Sequence, residues 1–583
     1  MFGKIVYMNN NVAHIKLTSG MDAASNLMNM HVVFEDQDSK FVAEVEDVSE
    51  DLIKVIFLGE FVNNRFVGGI IRKPPLTSSL RLINESELDL ILSDNENGFQ
   101  IGISPLYNNH PITASINSLF GHHMAVFGNT GSGKSCSFAS ILQSIFKAPN
   151  MLPYNANFLV FDTYGEYRYA FKDLNKYNSN LNFKVYTTNK KDGCELLRIP
   201  LWLLNVDDMA LLLGATEHSQ LTIIERMLKI VSIFSQSDEK SEDYKNHLLA
   251  KAIMSVLYSN QPAAAKRNDI FSLVSTCTTS KFNLEAPVPG LGYVRKFREC
   301  FLINREGGFS ESNILTEYVS SFIKDDLDKY DPETTNFYTL EDLEKALDYT
   351  LISEGLLQNE KAYSSAITLK VKLHSIVIGE YADYFKYDKY INLDSYVASL
   401  VNCNGRKAQI VDFNLEDVDD WFGRVITKIY SHMVFDFVKK LPNRASIPFH
   451  IFLEEAHRYV RNDNDANLIG YNIFERIAKE GRKFGIILSL ISQRPVEISE
   501  TVVSQCSNFL IFRINHPRDI DYIKRMLPNI NAEIVEKPKS FHPGVCVAFG
   551  SAFKVPAIVK IPMPNPAPGS SNCDVFARWN VKK

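Results

Sequence analysis

The sequence predicts an α/β fold on a mostly parallel sheet, with a small N-terminal β-barrel ahead of it and a helical insertion within it. Three observations predict this. Unbroken apolar runs such as "HMAVFG" (123–128), "ANFLVFD" (156–162) and "FHIFLEE" (449–455) end in small or acidic residues, as strands buried on both faces do. The N-terminal stretch instead breaks into short β-rich runs separated by Asn, Asp, Gly and Ser. Between 203 and 380 the chain is mostly helical and more polar, with apolar residues at helical spacing in "DDMALLLGATEHSQLTIIERMLKIVSIF" (207–234).

The elements follow in chain order. Residues 1–95 form the barrel from "KIVYMNNNVAHIKL", "HVVFED", "FVAEVEDVS", "LIKVIFLGEFV" and "VGGIIRKP", and "RKPPLTSS" (72–79) breaks the pattern. Residues 96–202 hold the first part of the α/β core. Residues 203–400 form the helical insertion, with "SQSDEKSEDYKNH" (235–247) as an exposed loop or frayed end. Residues 401–560 complete the core with the strands "RKAQIVDFN" (406–414), "FHIFLEE", "FGIILSLISQ" (484–493) and "NFLIFRI" (508–514). The Pro- and Ser-rich "IPMPNPAPGSSN" opens a C-terminal arm, 561–583.

Bulk properties bound the class. At 583 residues the chain is too long for one core. Its formal net charge of −6 excludes a uniformly basic nucleic-acid binder, but not a basic lining inside an acidic exterior. None of the eight cysteines forms a C-x-x-C pair, so free thiols in a reducing compartment are expected. The N-terminus has no charged-then-apolar leader pattern. No apolar run reaches the ~18 residues of a membrane span, so a soluble cytoplasmic protein is expected.

The chemistry is concentrated in four places. "GNTGSGKS" (128–135) fits G-x-x-x-x-G-K-[ST] between an apolar strand and a helix. Backbone N–H groups of Asn129, Thr130, Gly131, Ser132 and Gly133 would wrap a β-phosphate, and Cys136 continues the cradle into the helix. Lys134 would reach the β- and γ-phosphates, and Ser135 would ligate Mg²⁺. Hydrolysis of ATP then needs acids, and "FLEE" supplies two at a strand end. Glu454 stands where an Asp usually serves the metal, and Glu455 would polarise the attacking water. The second strand, "FLVFDTYGEY" (158–167), carries Asp162 and Glu166 toward the γ-phosphate, unless Asp162 merely caps the following helix. "ILSLISQRP" (487–495) is expected to lie between the two motif strands and to end in Gln493 at the γ-phosphate, an additional-strand, catalytic-Glu arrangement of the RecA-like P-loop ATPases.

Two further segments raise questions of assembly. In "FERIAKEGRKFG" (474–485), Arg482 is the first choice for an arginine reaching a neighbouring subunit's nucleotide, with Lys479 and Lys483 behind it. In "HRYVRNDNDANLIGY" (457–471), His457, Arg458 and Arg461 would contact DNA phosphates across a channel, or simply solvate a loop. His122 and His123 read as structural.

The ordered set "GHHMAVFGNTGSGKS", "VFDTYGEY", "FLEEAH", "AKEGRKFG" and "ISQRP", followed by "VVSQCSNFLIFRINHPRD" and "HPGVCVAFG", resembles HerA-type hexameric DNA translocases, relatives of the FtsK pumps. The resemblance runs nearly end to end. It implies a homohexameric ring with ATP and Mg²⁺ at subunit interfaces and double-stranded DNA through the centre, and in this family the Glu454–Glu455 pair is itself common. It further implies a separate effector, a nuclease or a sirtuin-like NAD hydrolase, and the helical insertion with the basic stretch 281–305 leans toward the anti-phage defence members. Two alternatives stay open: an ATP-switched scaffold ring that assembles and activates an effector, and a secretion or conjugation coupling ATPase.

Overall fold

The computed structural model describes residues 3–18, 27–36, 39–49, 51–94, 98–148, 151–290, 293–329, 337–353, 360–463, 465–526, 534–569 and 574–580. At its centre is a twelve-stranded sheet. The strand order is Glu195–Leu196, Phe183–Thr187, Ile410–Asn414, Phe158–Asp162, Phe449–Leu453, Ile486–Ser492, Met124–Phe127, Asn508–Ile511, Val545–Gly550, Ala557–Lys560, Gly98–Ser104 and His110–Ser115. Pairing is parallel as far as Asn508–Ile511 and antiparallel beyond.

The central strands are buried along their whole length, which is why they read as unbroken apolar runs. Helix Lys134–Lys147 covers one face, packing Phe138, Ile141 and Phe146 with Val126, Val160 and Phe452. Helix Asp420–Lys440 covers the other, packing Ile426 and Tyr430 with Ala125, Phe161 and Phe413. Strand Ile486–Ser492 lies between Phe449–Leu453 and Met124–Phe127, with Ser492 opposite Phe127. That register sets Gln493 level with the start of the glycine-rich loop.

Residues 3–82 form a separate antiparallel sheet in the order Gly3–Asn9, Val12–Leu17, Leu52–Val62, Ser39–Val48, His31–Asp36, Ser79–Leu82, with Arg65–Gly68 on Leu52–Val62. It has its own core of Ile15, Val32, Phe34, Phe41, Ile53 and Phe57. No ladder among the described residues joins its two end strands. Lys537 reaches it through Glu44 at 2.7 Å.

The helical region departs from the sequence reading in two ways. The supposed loop 235–247 is largely the start of helix Glu239–Tyr258, because Asp238 caps it by accepting Ser241 N–H at 3.0 Å and because Tyr244, Asn246 and His247 are buried. The stretch 281–305 is not a basic surface. Asp243 pairs with Lys281, Glu311 with Arg295, and Glu285 with both Lys296 and Arg298. The start of the C-terminal arm is docked: Gln143 of the helix after the glycine loop donates to Pro566 O at 2.8 Å and accepts from Asn565 N at 2.9 Å.

Among the described residues no helix is long and apolar enough to cross a membrane. The described cysteines are free thiols, and Cys573 lies outside the described residues.

His450 offers a stability test. Its ring lies among Phe120, Phe158 and Phe452, its Nδ1 is buried without a partner, and burial lowers its pKa to about 4. The native state therefore holds it neutral, and its contribution is present above the unfolded pKa and lost as pH falls toward the folded one. Between pH 7 and pH 5 that one group removes about 2 kcal/mol. His450→Phe is expected to flatten the acid limb of chemical-denaturation stability by that amount. An unchanged slope would show that His450 is not held neutral.

Candidate functional site

The site forms where the central parallel strands end. The loop 128–133 leaves strand Met124–Phe127 and turns into helix Lys134–Lys147. Gly133 has φ 98°, and a Cβ there would stand 2.8 Å from Gly544 N, so only glycine fits. Gly544 N also donates to Ser132 O at 2.9 Å, so the "HPG" turn before strand Val545–Gly550 buttresses the loop. Asn129 departs from its expected role. Its N–H donates to Arg513 O at 2.8 Å and its carbonyl accepts Lys134 Nζ at 3.1 Å, so it shapes the loop and holds the lysine. Ser132 N–H turns inward to Asn129 O at 3.1 Å. Thr130 and Gly131 are exposed at the loop's crest, and Cys136 is half-buried in the first helical turn.

The two adjacent glutamates have different surroundings. Glu454 is buried; its Oε1 accepts Ser135 Oγ–H at 3.0 Å and its Oε2 accepts Tyr167 Oη–H at 2.5 Å. Burial, reinforced by the charge of Glu455, raises its pKa to about 8 against the pull of Tyr167 and Lys134. Glu455 follows with φ 51° and ψ 48°, a left-handed conformation that costs a non-glycine residue about 1–2 kcal/mol. Glu455 Oε2 is buried and unpartnered, with His457 Nδ1 3.2 Å away but not hydrogen-bonded to it. Burial raises the pKa of Glu455 also, opposed by Lys134 and by the Gln493 backbone N–H. Burial conversely lowers that of Lys134, which both glutamates oppose.

Gln493 sits at the loop, where its Oε1 accepts the Thr130 hydroxyl. A cleft of ≈ 640 Å³ opens beside this pair, lined further by Arg494, His516 and Arg518. Glu166 is half-buried near Glu455, whose charge adds to burial in raising its pKa. Asp162 is not at the site's surface. It is fully buried, and its two oxygens accept Tyr164 N–H at 3.1 Å and Tyr167 N–H at 2.7 Å, so it caps the turn.

The DNA-facing reading of 457–461 is only partly compatible with the structure. His457 belongs to the glutamate cluster, with Nδ1 3.1 Å from Ser492 Oγ, because the short helix Ala456–Arg458 folds it back over the strand ends. Arg458 is engaged by Asp420, and only Arg461 is exposed. The acids of the same loop, Asp463 and Asp465, hold buried Lys428. Arg482 is exposed in the turn Gly481–Phe484, at the opposite end of strand Ile486–Ser492 from Gln493. Seven residues of strand span about 23 Å, so Arg482 cannot reach the loop of its own chain. His123 is structural: its Nδ1 accepts Leu488 N–H at 2.9 Å and its Nε2 lies 3.1 Å from Ala478 O.

Sequence reasoning passed over Tyr167, Thr163 and Gly544. Thr163 and Tyr167 stand inside the quoted "DTYGEY", where the acids drew attention, and nothing in their spacing points to Glu454, which lies 287 positions from Tyr167.

A glycine loop on a helix N-terminus, a serine hydroxyl on a buried carboxylate and a second buried carboxylate beside it define a P-loop nucleotide-binding protein. Residues 99–284 match the family described as "Helicase HerA, central domain", so this segment is similar to a HerA-type ATPase domain. It is similar to the DNA double-strand break repair helicase HerA of Sulfurisphaera tokodaii, 27% identical over 305 residues, 52% of this chain and 59% of that protein. The HerA of Pyrococcus furiosus is 23% identical over 519 residues, 88% of this chain and 78% of that one. The chain thus spans under two thirds of the length of the first of these relatives. Among solved structures, VirB4 of Thermoanaerobacter pseudethanolicus aligns over 80% of this chain and 97% of its own at 12% identity, with a TM-score of 0.43.

Proposed function

We propose that this chain is an ATP-driven translocase of double-stranded DNA that works as a homohexameric ring. The observation that carries the reading is the convergence of Ser135, Glu454, Glu455 and Gln493 at the ends of three adjacent parallel strands, over a glycine loop. Those residues fit ATP·Mg²⁺. The N–H groups of Thr130, Gly131 and Gly133 would cradle the phosphates, Lys134 would neutralise the β- and γ-phosphates, and Ser135 with Glu454 would hold the metal. When bound, Mg²⁺ supplies charge neutralisation at the transferring phosphoryl group. Glu455 orients and deprotonates the attacking water, with its Oε2 buried beside His457 Nδ1 at 3.2 Å. Gln493, released from Thr130, reads the γ-phosphate, with Glu166 at the margin. This is the additional-strand, catalytic-Glu arrangement.

DNA as the track is supported by the relatives, named as DNA double-strand break repair helicases. Arg461 is the channel contact we favour. The helical region from Val206 to Leu400 offers a platform for a separate effector, a nuclease or a sirtuin-like NAD hydrolase, in anti-phage defence. Duplex DNA is expected to raise ATP turnover severalfold in the wild type and to leave Lys134→Ala silent. Fast turnover indifferent to DNA would replace the motor with the ATP-switched scaffold.

A further inference from the structure

Glu454 has one methylene more than the aspartate that usually serves the metal in this position. A longer side chain has one more rotatable bond, so its carboxylate needs an external constraint to serve as a rigid ligand. The structure contains such a constraint. Tyr167 is 1% exposed, and its ring is fixed edge-on against Phe138 of the P-loop helix and stacked on Phe171. Its hydroxyl donates to Glu454 Oε2 at 2.5 Å while Ser135 donates to Oε1 at 3.0 Å, so each oxygen of the carboxylate has its own tether. The same turn grips Glu454 a second time, for Thr163 Oγ–H donates to its backbone carbonyl at 3.0 Å. Asp162 in turn holds the Tyr167 N–H, and so fixes the segment that carries both grips.

We propose that Tyr167 is a positioning residue for the metal site: the turn 162–167 clamps Glu454 so that the longer acid presents Oε1 beside Ser135 as an aspartate would. This rests on the ATP·Mg²⁺ reading above and goes beyond it, because it makes Tyr167 and Glu454 a matched pair. An aspartate at 454 is too short to keep both tethers, so the hydroxyl of Tyr167 matters only while position 454 is Glu.

The test measures ADP affinity of the full-length protein with Mn²⁺ and in EDTA, and takes the ratio. Tyr167→Phe is expected to lower that ratio about tenfold, as loss of an outer-shell partner does, and to leave metal-free ADP affinity within twofold. Glu454→Asp lowers the ratio by itself, and adding Tyr167→Phe to it changes the ratio less than twofold. An unchanged ratio in Tyr167→Phe, or a second full loss in the Glu454→Asp background, overturns the pairing. Should Tyr167→Phe fail to fold by circular dichroism, Thr163→Val takes its place, with about a threefold fall expected and an unchanged ratio overturning the proposal. A wild type whose ADP affinity is indifferent to Mn²⁺ would instead remove the metal reading, and this inference with it.

Discussion

Glu455→Gln is expected to lower ATP turnover by about 10²–10⁴-fold while ATP still binds. The substitution keeps shape and removes only the ability to take a proton. Three features make this carboxylate the base. It follows Glu454 at the strand end in a left-handed turn. Its Oε2 is buried, with the His457 ring nitrogen 3.2 Å away. Burial raises its pKa, which strengthens it as a base. Single-turnover hydrolysis beside equilibrium ATP binding separates the two effects. A Gln variant within tenfold of wild type would move the base elsewhere, with Glu166 the next acid in reach.

Arg482→Ala is expected to cost about 10³-fold or more in turnover, again with binding retained. The residue is exposed and lies a full strand length from its own glycine loop, so a local role in that loop's chemistry is geometrically closed to it. Its turn is nevertheless firmly built. Helix Ile473–Glu480 begins on an Asn472 cap, and His123 ties Ala478 at its end to the strand that follows. A rigid base under an exposed guanidinium suits delivery of charge to a neighbour's transition state. Loss of ATP binding in place of turnover would assign Arg482 to assembly alone.

The fold was legible wherever burial was two-sided. Phe158–Asp162, Phe449–Leu453 and Ile486–Ser492 announce themselves because every position except Asp162 and His450 is apolar or small. The loop 128–135 was legible because its glycines and Lys–Ser pair have fixed spacing. What stayed hidden depends on contacts between distant segments. Nothing near Tyr167 or Gly544 reveals that they meet Glu454 and Ser132. The charge pattern of 235–247 reads as a loop until helix capping by Asp238 and burial of Tyr244 are known. Lys296 and Arg298 look basic in line but share Glu285 in space. Asp162 and His457 were placed by adjacency to motifs, and both turn toward their own backbone or strand ends instead.

The central claim is that one protomer grips the triphosphate and the adjoining protomer completes the site. The most direct measurement mixes Arg482→Ala and Glu455→Ala proteins, each inactive alone, and follows ATP hydrolysis across mixing ratios. Interfaces that pair an intact Glu455 with an intact Arg482 from the neighbour should restore turnover, with a maximum at intermediate ratios. Hydrolysis that stays flat at every ratio, in mixtures shown to co-assemble, would contradict the account.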